Sequence, residues 1–387
     1  MKVLSVFGTR PEAIKMAPLV KALEADPSIQ SVVCVTAQHR EMLDQVLNLF
    51  DLHPDYDLNL MKPGQTLSTI TSGVLLGLDP ILEQEKPDLV LVHGDTSTSF
   101  VAALAAFYHQ IPVGHVEAGL RTYDKYSPWP EELNRCLTGR IADLHFAPTE
   151  RNRQNLLREA IADEQIVVTG NTVIDALLTV AQMPYEFRQG SDIPKEDREL
   201  LSSLDFEGKR VIAMTCHRRE NLGEHMHEIF SAVRDIAAEF DDVEVVYAVH
   251  MNPLVRQTAQ EVLGSCANVH LIEPLSYQPF INLMKRSYLI VTDSGGMQEE
   301  APSLGKPVLV VRKETERPEA LEAGTVRLAG VERSTIYNLL KELLTDASAY
   351  DAMAHAANPY GDGKASRRIV AALHNRFHEN RHNRNLK

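Results

Sequence analysis

Two stretches decide the fold of this chain: Asp-Leu-Val-Leu-Val-His-Gly-Asp-Thr at residues 88–96 and Ile-Pro-Val-Gly-His-Val-Glu at residues 111–117. Each contains a short apolar run of the kind found in a strand buried on both faces of a parallel sheet. An alanine-rich segment with a helical pattern separates them, which predicts a strand–helix–strand unit. Because both strands then finish at one edge of the sheet, Asp95 and Glu117 are expected at the carboxyl edge, where open α/β sheets bind ligands.

More carboxylates follow in Ser-Pro-Trp-Pro-Glu-Glu at residues 127–132. Proline suits the first position of a helix, so Pro130 predicts a helix start that carries Glu131 and Glu132. Carboxylates that converge on one edge form an acid/base site, a metal site or a set of unrelated helix caps. The chain has no His-x-x-x-His or similar ligand spacing beside these acids, which disfavours the metal site.

Length and composition set the class of protein. At 387 residues, the chain exceeds one ordinary core, and two α/β domains of ~100–200 residues each are expected. No apolar run approaches the ~20 residues of a membrane span, and the first residues lack a signal-peptide pattern. The four cysteines show no disulfide or metal spacing, which is typical of a cytoplasmic protein. A net charge of −14 argues against nucleic-acid binding.

Strand and helix patterns alternate along the chain, as in a parallel sheet built from βαβ units. Residues 183–208 are polar, and we interpret them as a linker or surface excursion. The pattern restarts at residues 209–214, which resemble residues 3–7 in being apolar and in leading into a basic and acidic turn. This weak repeat indicates two similarly built halves.

The second half contains a candidate anion site. Ser294, Gly295 and Gly296 open a predicted helix directly after an apolar strand, so free N–H groups and the positive end of the helix dipole would face a phosphate. A plain strand-to-helix turn is the alternative for this motif alone. One turn further, Glu299 or Glu300 would accept hydrogen bonds from ribose hydroxyls.

Basic side chains at predicted strand ends would complete a pyrophosphate pocket if they faced one cleft, although each alone is typical of a surface charge. They are Arg10, Lys15, His217, Arg218, Arg219 and Arg317. Histidines at strand ends usually have structural hydrogen bonds, and His217 is the best functional candidate because it begins a polar run. Two familiar classes of protein are excluded. A dinucleotide-binding dehydrogenase would have Gly-x-Gly-x-x-Gly after a predicted strand, and a P-loop protein would have a Walker loop; neither motif occurs.

Several motifs together closely resemble the non-hydrolysing UDP-N-acetylglucosamine 2-epimerases. The resemblance runs from residue 2 to about the last predicted helix. The motifs are Phe-Gly-Thr-Arg-Pro-Glu (7–12), His-Gly-Asp-Thr (93–96), His-Val-Glu-Ala-Gly-Leu-Arg (115–121), Pro-Glu-Glu-Leu-Asn-Arg (130–135), His-Arg-Arg-Glu-Asn (217–221), Asp-Ser-Gly-Gly-Met-Gln-Glu-Glu-Ala-Pro (293–302), Thr-Glu-Arg-Pro-Glu (315–319) and Asn-Pro-Tyr-Gly-Asp-Gly (358–363).

The resemblance implies a GT-B-like α/β fold, with two Rossmann-like α/β/α domains facing an interdomain cleft. The expected domains are residues 1–170, with the last helix (364–387) crossing back, and residues 171–363. The family interconverts UDP-N-acetylglucosamine and UDP-N-acetylmannosamine without an added cofactor, usually as a homodimer. Motif by motif, the resemblance assigns catalysis to Asp95, Glu117, Glu131 and His217. It assigns nucleotide-sugar contacts to Arg10, Lys15, Asp95, Glu117, His217, Phe280, Ser294, Gly295, Gly296, Glu300 and Arg317.

These residue types suit an elimination and re-addition of UDP through a 2-acetamidoglucal, since such a site needs carboxylates for proton transfer at C2 and cations for the departing pyrophosphate. The hinges expected for closure are Gly170 and residues 360–363. Tyr123 stands where many relatives have glycine. Gln38 and His250 match an activator site of some relatives, but Gly64 replaces its arginine, which makes activation doubtful.

Three other functions remain open: a hydrolysing epimerase that releases N-acetylmannosamine, a retaining GT-B glycosyltransferase and a silent nucleotide-sugar sensor. An acceptor requirement would indicate the glycosyltransferase. The intact set of acids disfavours the sensor, because a pure binder has no use for three converging carboxylates.

Overall fold

The computed structural model describes residues 1–36, 40–60, 64–190 and 192–384 of the chain. Gln38 therefore lies outside the described residues, and the predicted activator contact has no structural description. The chain divides into two compact units, which we call unit 1 and unit 2. Unit 1 comprises Met1–Ala176 and Tyr360–Lys387, and unit 2 comprises Leu177–Pro359.

Among the described residues, unit 1 has a seven-stranded sheet in the order β3-β2-β1-β4-β5-β6-β7, with every neighbouring pair parallel. The strands are β1 (Lys2–Phe7), β2 (Gln30–Val35), β3 (Tyr56–Asp57), β4 (Leu89–His93), β5 (Val113–Val116), β6 (Leu144–Ala147) and β7 (Ile166–Val168). The central strands are buried along nearly their whole length, because helices cover both faces of a parallel sheet.

The helices of unit 1 connect these strands and enclose the sheet. They are α1 (Arg10–Glu24), α2 (Arg40–Leu49), α3 (Leu67–Glu85), α4 (Ser97–Tyr108), α5 (Glu131–Ile141), α6 (Glu150–Arg158) and α7 (Thr172–Gln182), whose last turns belong to unit 2. The last helix of the chain, α16 (Ala365–Arg384), packs on α1 and buries Ile369 and Leu373. The carboxyl group of Asp175 accepts hydrogen bonds from the N–H groups of Ala365 and Ser366, at 3.1 and 2.8 Å.

Unit 2 repeats the plan with a six-stranded parallel sheet among its described residues, in the order β10-β9-β8-β11-β12-β13. Its strands are β8 (Arg210–Thr215), β9 (Val243–Ala248), β10 (Val269–Ile272), β11 (Leu289–Thr292), β12 (Val308–Val310) and β13 (Val326–Leu328). Its helices are α8 (Lys195–Ser203), α9 (Glu224–Glu239), α10 (Pro253–Leu263), α11 (Tyr277–Arg286), α12 (Gly295–Glu300), α13 (Pro318–Glu322), α14 (Arg333–Thr345) and α15 (Ala347–Ala354). The two sheets confirm the predicted α/β class.

The strand order reverses direction once in each sheet. In unit 1 the reversal lies between β1 and β4, and in unit 2 it lies between β8 and β11. Open α/β sheets bind ligands beyond the carboxyl ends of the strands at such a switch point. The loops at these points carry Arg10 and Asp95 in unit 1, and His217 and Ser294 in unit 2.

Several predicted boundaries are wrong by a few residues. The apolar pattern of residues 14–23 predicts that the first helix begins at residue 14, whereas it begins at Arg10. The reason is a capping box in which the Thr9 side chain accepts from the Glu12 N–H, while the Glu12 carboxylate accepts from the Thr9 N–H, an arrangement that fixes a helix start. The strand predicted from residue 111 begins at Val113.

Residues 273–280, which contain two prolines, predict a loop, and this prediction is wrong in part. Helix α11 begins at Tyr277, so Phe280 lies on a helix. Pro279 signalled a loop, but the first turn of a helix tolerates proline because its N–H groups have no helical partner there.

The interpretation of residues 183–208 as a linker is wrong. This polar segment contains a 3-10 turn at Phe187–Gln189 and helix α8, and it buries the side chains of Phe187 and Leu201. The Arg286 guanidinium lies 5.2 Å from the centre of the Phe187 ring. Phe187, Ile193 and Leu201 are buried apolar side chains that anchor a segment whose average composition is polar, and averaging over the segment hides them. In the described part of the chain, every helix is too short or too polar to span a bilayer.

Candidate active site

Glu117 and Asp95 follow neighbouring strands of unit 1. His93 at the end of β4 pairs with Val116 at the end of β5, and the Gly94 N–H donates to the Val116 carbonyl at 2.9 Å. The two acids therefore leave the same edge of the sheet side by side, as the sequence predicts. Both are partly exposed, with 26% of the Asp95 side chain and 13% of the Glu117 side chain accessible.

Glu117 has a strained backbone, with φ of +61°. A residue with a β-carbon rarely adopts this left-handed conformation, and such strain costs on the order of 1–3 kcal/mol and clusters at functional sites. Its Oε2 accepts hydrogen bonds from the Lys15 ammonium and from Nδ2 of Asn171, the latter at 2.9 Å. Lys15, one of the predicted residues, therefore pairs with the Glu117 carboxylate. Asn171 contacts the same carboxylate and was not among the predicted residues.

His93 also belongs to this cluster, whereas a structural hydrogen bond was expected for a histidine at a strand end. Its Nε2 lies 3.7 Å from Oε2 of Glu117, and its side chain is almost fully buried. Burial lowers the pKa of His93, while the Glu117 charge acts in the opposite direction. His115 has the structural role expected for such histidines, because its Nε2–H donates to the Gly94 carbonyl at 2.7 Å.

Two residues of helix α5 contact Asp95. Nη2 of Arg135 lies 2.6 Å from Oδ2 of Asp95, and Nδ2 of Asn134 donates to the Asp95 carbonyl at 2.9 Å. Glu131 is the first residue of this helix and is half-buried. Residues three and four apart share a helix face, so Glu131 lies on the face that contacts Asp95.

Glu132, the other acid of the pair, has a structural role. It is buried and accepts hydrogen bonds from the N–H groups of Thr122 and Tyr123, at 3.0 and 2.9 Å. Tyr123 has φ of +64°, which explains why glycine suits this position in relatives. Pro130 is the N-cap of α5 and not its first residue as predicted, since its ψ of 8° differs from the helical value.

Glu12 joins the two loops at the switch point of unit 1. Its Oε2 accepts from the N–H groups of Gly8 and Thr9, and its Oε1 accepts from the hydroxyls of Thr96 and Ser99. A β-carbon on Gly8 would lie 2.0 Å from Oγ1 of Thr36, so only glycine allows this close approach. Arg10 begins α1 in the same turn. The Thr-x-x-Glu pattern at residues 9–12 would have revealed Glu12 as a capping residue.

Unit 2 places the predicted anion loop directly after β11. Helix α12 begins at Gly295 and Ser294 is its N-cap, as expected. A β-carbon on Gly295 would lie 2.8 Å from Oε1 of Glu316, and the same oxygen lies 3.3 Å from Nη2 of Arg218. Oε2 of Glu316 accepts from Nη1 of Arg312 at 2.5 Å. A carboxylate thus lies against the loop predicted to bind phosphate.

The other predicted nucleotide contacts of unit 2 lie nearby. Nε of Arg317 donates to Oε1 of Glu299, which is buried. Glu300 is only partly buried, and its Oε1 would lie 3.5 Å from a β-carbon on Gly296. Of the two acids considered for ribose, Glu300 is therefore the accessible one. Phe280 is partly exposed on α11.

His217 follows β8 and stacks on His250, with ring centres 5.1 Å apart and ring planes inclined by 13°. Its Nδ1 lies 3.4 Å from Oδ1 of Asp293, at the end of the neighbouring strand β11. Burial lowers the pKa of His217; Asp293 opposes this change, and His250 and Arg218 reinforce it. His250, matched to the activator site by resemblance, contacts the candidate catalytic histidine itself.

The predicted residues fall into two groups. Unit 1 brings together Asp95, Glu117 and Lys15 around the ends of β4 and β5, with Arg10 and Glu131 on adjoining elements. Unit 2 brings His217 and the Ser294–Gly296 loop to the ends of β8 and β11, with Arg317, Glu300 and Phe280 around them. Within the described ranges, no group of three or more histidine, cysteine or acidic side chains is arranged to hold a metal ion.

This chain is similar to one family of known proteins over nearly its whole length. Residues 21–374 match the family model described as UDP-N-acetylglucosamine 2-epimerase. The UDP-N-acetylglucosamine 2-epimerase of Escherichia coli strain K12 is 59% identical over 377 residues, which cover 97% of this chain and 99% of that protein. The UDP-N-acetylglucosamine 2-epimerase of Bacillus subtilis strain 168 is 59% identical over 374 residues, which cover 96% and 95% of the two chains.

A solved structure of UDP-GlcNAc 2-epimerase from Neisseria meningitidis bound to UDP-GlcNAc is 53% identical, with a TM-score of 0.83. The match covers 96% of this chain and 99% of that chain. This likeness confirms the expected GT-B-like fold class. The family model, the curated relatives and the solved structure agree, and the chain belongs to the UDP-N-acetylglucosamine 2-epimerase family of isomerases.

Proposed function

We propose that this chain catalyses the reversible C2 epimerisation of UDP-N-acetylglucosamine to UDP-N-acetylmannosamine without hydrolysing the sugar nucleotide. The observation that carries the proposal is the strained Glu117, which Lys15 and Asn171 hold beside Asp95 at the carboxyl edge of a parallel sheet. A fold that maintains a strained carboxylate at a ligand-binding edge supports a chemical role for that carboxylate.

The proposed chemistry proceeds by elimination and addition, because the C2 proton has no adjoining carbonyl to acidify it. A base takes the C2 proton, the C1–O bond breaks, and the electron pair of the C2–H bond becomes the C1=C2 double bond of 2-acetamidoglucal. UDP leaves with the electrons of the C1–O bond. A proton is then added to C2 from the opposite face while the UDP oxygen bonds to C1 again, so the reaction needs no added cofactor.

In this proposal Asp95, Glu117 and Glu131 supply the proton-transfer groups. Arg135 keeps Asp95 in place, and Lys15 and Asn171 do the same for Glu117. His217 and Arg10 stabilise the charge that develops on the departing pyrophosphate. In this proposal the first expected domain, residues 1–170, carries the catalytic acids, and the second, residues 171–363, binds the UDP group.

The nucleotide is proposed to bind at the Ser294–Gly296 loop, with Arg317 and Phe280 nearby and Glu300 accepting from the ribose hydroxyls. The position of Glu316 supports this assignment, because its carboxylate lies against Gly295 and Arg218 as a phosphate group would. A diphosphate would displace that carboxylate from the loop.

Proton NMR of a reaction with UDP-N-acetylglucosamine alone tests the proposal. We expect UDP-N-acetylmannosamine to accumulate to equilibrium with no acceptor and no added nucleotide cofactor. Free N-acetylmannosamine together with UDP would instead indicate a hydrolysing epimerase. Turnover that requires an acceptor would indicate a glycosyltransferase.

We also propose that the enzyme works as a homodimer and supplies N-acetylmannosamine units for a cell-surface polysaccharide. The exposed apolar surface of unit 1 supports the dimer. In unit 1, α3 packs on α4 and α4 packs on α5, and all three helices expose large apolar side chains. Such surfaces mark protein interfaces. The exposed side chains are Leu76 on α3, Phe107 on α4, and Leu133 and Leu137 on α5. Analytical ultracentrifugation is expected to give a dimer, and Phe107→Glu with Leu76→Glu is expected to give a monomer.

A further inference from the structure

Asp293 is a buried carboxylate that has no part in the proposed proton transfers or nucleotide contacts. It follows β11 directly, and its side chain is fully buried at the switch point of unit 2. The neighbouring strand β8 leads into His217, and the hydroxyls of Thr215 and Thr292 join the two strands at 2.7 Å. Because a buried polar group is costly unless it is hydrogen-bonded, the fold must supply donors to the Asp293 carboxyl group.

One oxygen of Asp293 organises the turn after β8. Its Oδ2 accepts from the N–H groups of His217 and Arg218, at 2.8 and 2.7 Å, and from Nδ2 of Asn221 at 3.1 Å. The second Nδ2 hydrogen of Asn221 goes to the Val311 carbonyl at 3.0 Å, so the orientation of that amide is fixed. Three donors on one oxygen fix the orientation of the carboxyl group.

The other oxygen faces His217. Oδ1 of Asp293 has no hydrogen-bond partner of normal geometry among the described residues, and Nδ1 of His217 lies 3.4 Å from it. The buried Cys216 thiol also lies beside this carboxyl group. The His250 ring stacks on the His217 ring, with centres 5.1 Å apart, and this packing restricts rotation of the His217 ring. A small movement of the ring would complete an Nδ1–H···Oδ1 hydrogen bond.

We propose that Asp293 is the positioning residue for His217: its buried carboxylate holds the ring with Nδ1–H turned inward and the Nε2 lone pair turned toward the substrate. This inference rests on the proposed function, in which His217 acts on the sugar nucleotide. A carboxylate that fixes the tautomer of a catalytic histidine lets the exposed nitrogen accept a proton, and the imidazolium that forms then stabilises the departing pyrophosphate, as in the proposed function. Without that carboxylate the ring is free to present Nε2–H instead.

The alternative is a purely structural carboxylate that only closes the turn at residues 217–221. Asp293→Asn separates the two, because an amide oxygen in the place of Oδ2 still accepts the same three hydrogen bonds. The amide nitrogen then takes the place of Oδ1 and donates toward Nδ1 of His217, which favours the wrong tautomer. Asp293→Asn therefore keeps the turn at residues 217–221, but it places a donor where the wild type has an acceptor for Nδ1–H of His217.

Kinetics of the full-length enzyme give the first test. We expect Asp293→Asn to lower kcat by roughly 100-fold or more, within the range for loss of an acid–base group, with little change in KM. Asp242→Asn, the same substitution at a half-exposed aspartate paired with Arg210, is expected to keep wild-type kcat. In the His217→Asn background, Asp293→Asn is expected to change kcat by less than about twofold. A multiplicative effect in that background would overturn the inference.

A second test needs no turnover and thus distinguishes failure of this inference from failure of the proposed function. In protein labelled with [15N]histidine, the His217 resonances are assigned by their loss in His217→Asn. At pH 7.5 we expect wild-type His217 to show the Nδ1–H tautomer and Asp293→Asn to shift it to Nε2–H. The same tautomer in both proteins would overturn the inference, whereas an inactive wild type with the expected shift would overturn only the proposed function.

Discussion

Arg135 joins a candidate catalytic acid to a structural one: its Nη2 lies 2.6 Å from Oδ2 of Asp95, and its Nη1 lies 2.9 Å from Oε2 of Glu132. Glu132 in turn accepts from the backbone of the loop at residues 122–123. One guanidinium therefore fixes both the position of Asp95 and the loop before α5. Its planar fork suits this double contact, which an ammonium group cannot reproduce.

We predict that Arg135→Lys lowers kcat about 10-fold or more, because a lysine cannot hold both carboxylates. Arg135→Met is expected to lower the free energy of unfolding as well, by about 1–3 kcal/mol, since it leaves the buried Glu132 with one hydrogen-bond donor fewer. Steady-state kinetics and urea unfolding measure the two effects. Arg140→Met, at an exposed position of the same helix, serves as control, and equal effects at both positions would contradict the prediction.

The three acids of unit 1 are predicted to matter for turnover more than for binding. Asp95→Asn, Glu117→Gln and Glu131→Gln should each remove most of kcat, by roughly 100-fold or more, while the Kd for UDP stays largely unchanged. Isothermal titration with UDP and the NMR reaction assay measure these quantities. Glu150→Gln, at an exposed residue of α6, is the matched control. Wild-type rates in all three variants would refute the assignment.

Glu316 should compete with the nucleotide for the loop of unit 2. Its carboxylate lies against Gly295 and Arg218, so UDP must displace a negative charge in order to bind. We predict that Glu316→Gln lowers the Kd for UDP several-fold, because a neutral amide gives up the arginine more readily. Isothermal titration measures this change, and Glu314→Gln at an exposed neighbouring position is the control. Weaker binding in Glu316→Gln would mean that the carboxylate itself contacts the ligand.

Acid should destabilise unit 1 through His145. Burial lowers the pKa of His145 to about 4 and that of His115 to about 3, whereas an unfolded histidine has a pKa of about 6.5. As pH falls from 7 to 5, only the unfolded state gains a proton at each ring. The free energy of unfolding therefore decreases, by on the order of 1–2 kcal/mol per histidine over that interval.

His145→Leu should remove one of these contributions. Neither ring nitrogen of His145 has a hydrogen-bond partner of normal geometry within the described residues, so an apolar side chain leaves no donor or acceptor unsatisfied. We expect the variant to lose less stability between pH 7 and pH 5 than the wild type. Urea unfolding, followed by fluorescence of the single tryptophan in unit 1, measures this difference. The exposed His53→Leu should behave like the wild type, and an unchanged pH dependence in His145→Leu would contradict the assignment.

The fold was predictable where periodicity and strand-end signals act locally. The apolar runs before Asp95 and Glu117 predicted adjacent parallel strands, and both strands are present. Residues 183–208 were misjudged because Phe187 and Leu201 anchor the segment through contacts distant in sequence. Helix ends moved where capping decided them, as at Thr9 and Glu12.

The acids of the site were predictable, but their partners were not. Asp95 and Glu117 stand at strand ends and inside recognisable motifs, so their position follows from topology. Asn171 and Arg135 reach them from other elements, and nothing local in the sequence marks either contact. Asp293 belongs to the recognised motif at residues 293–302, yet its contact with His217 arises only because β8 and β11 are neighbours.

The central claim, proton exchange at C2 by the acids of unit 1, is tested most directly in deuterated buffer. The purified enzyme is incubated with UDP-N-acetylglucosamine without any added cofactor, and the products are examined by NMR and mass spectrometry. We predict UDP-N-acetylmannosamine that carries deuterium at C2. Product that retains the original proton at C2, or a substrate that remains unchanged, would contradict the account.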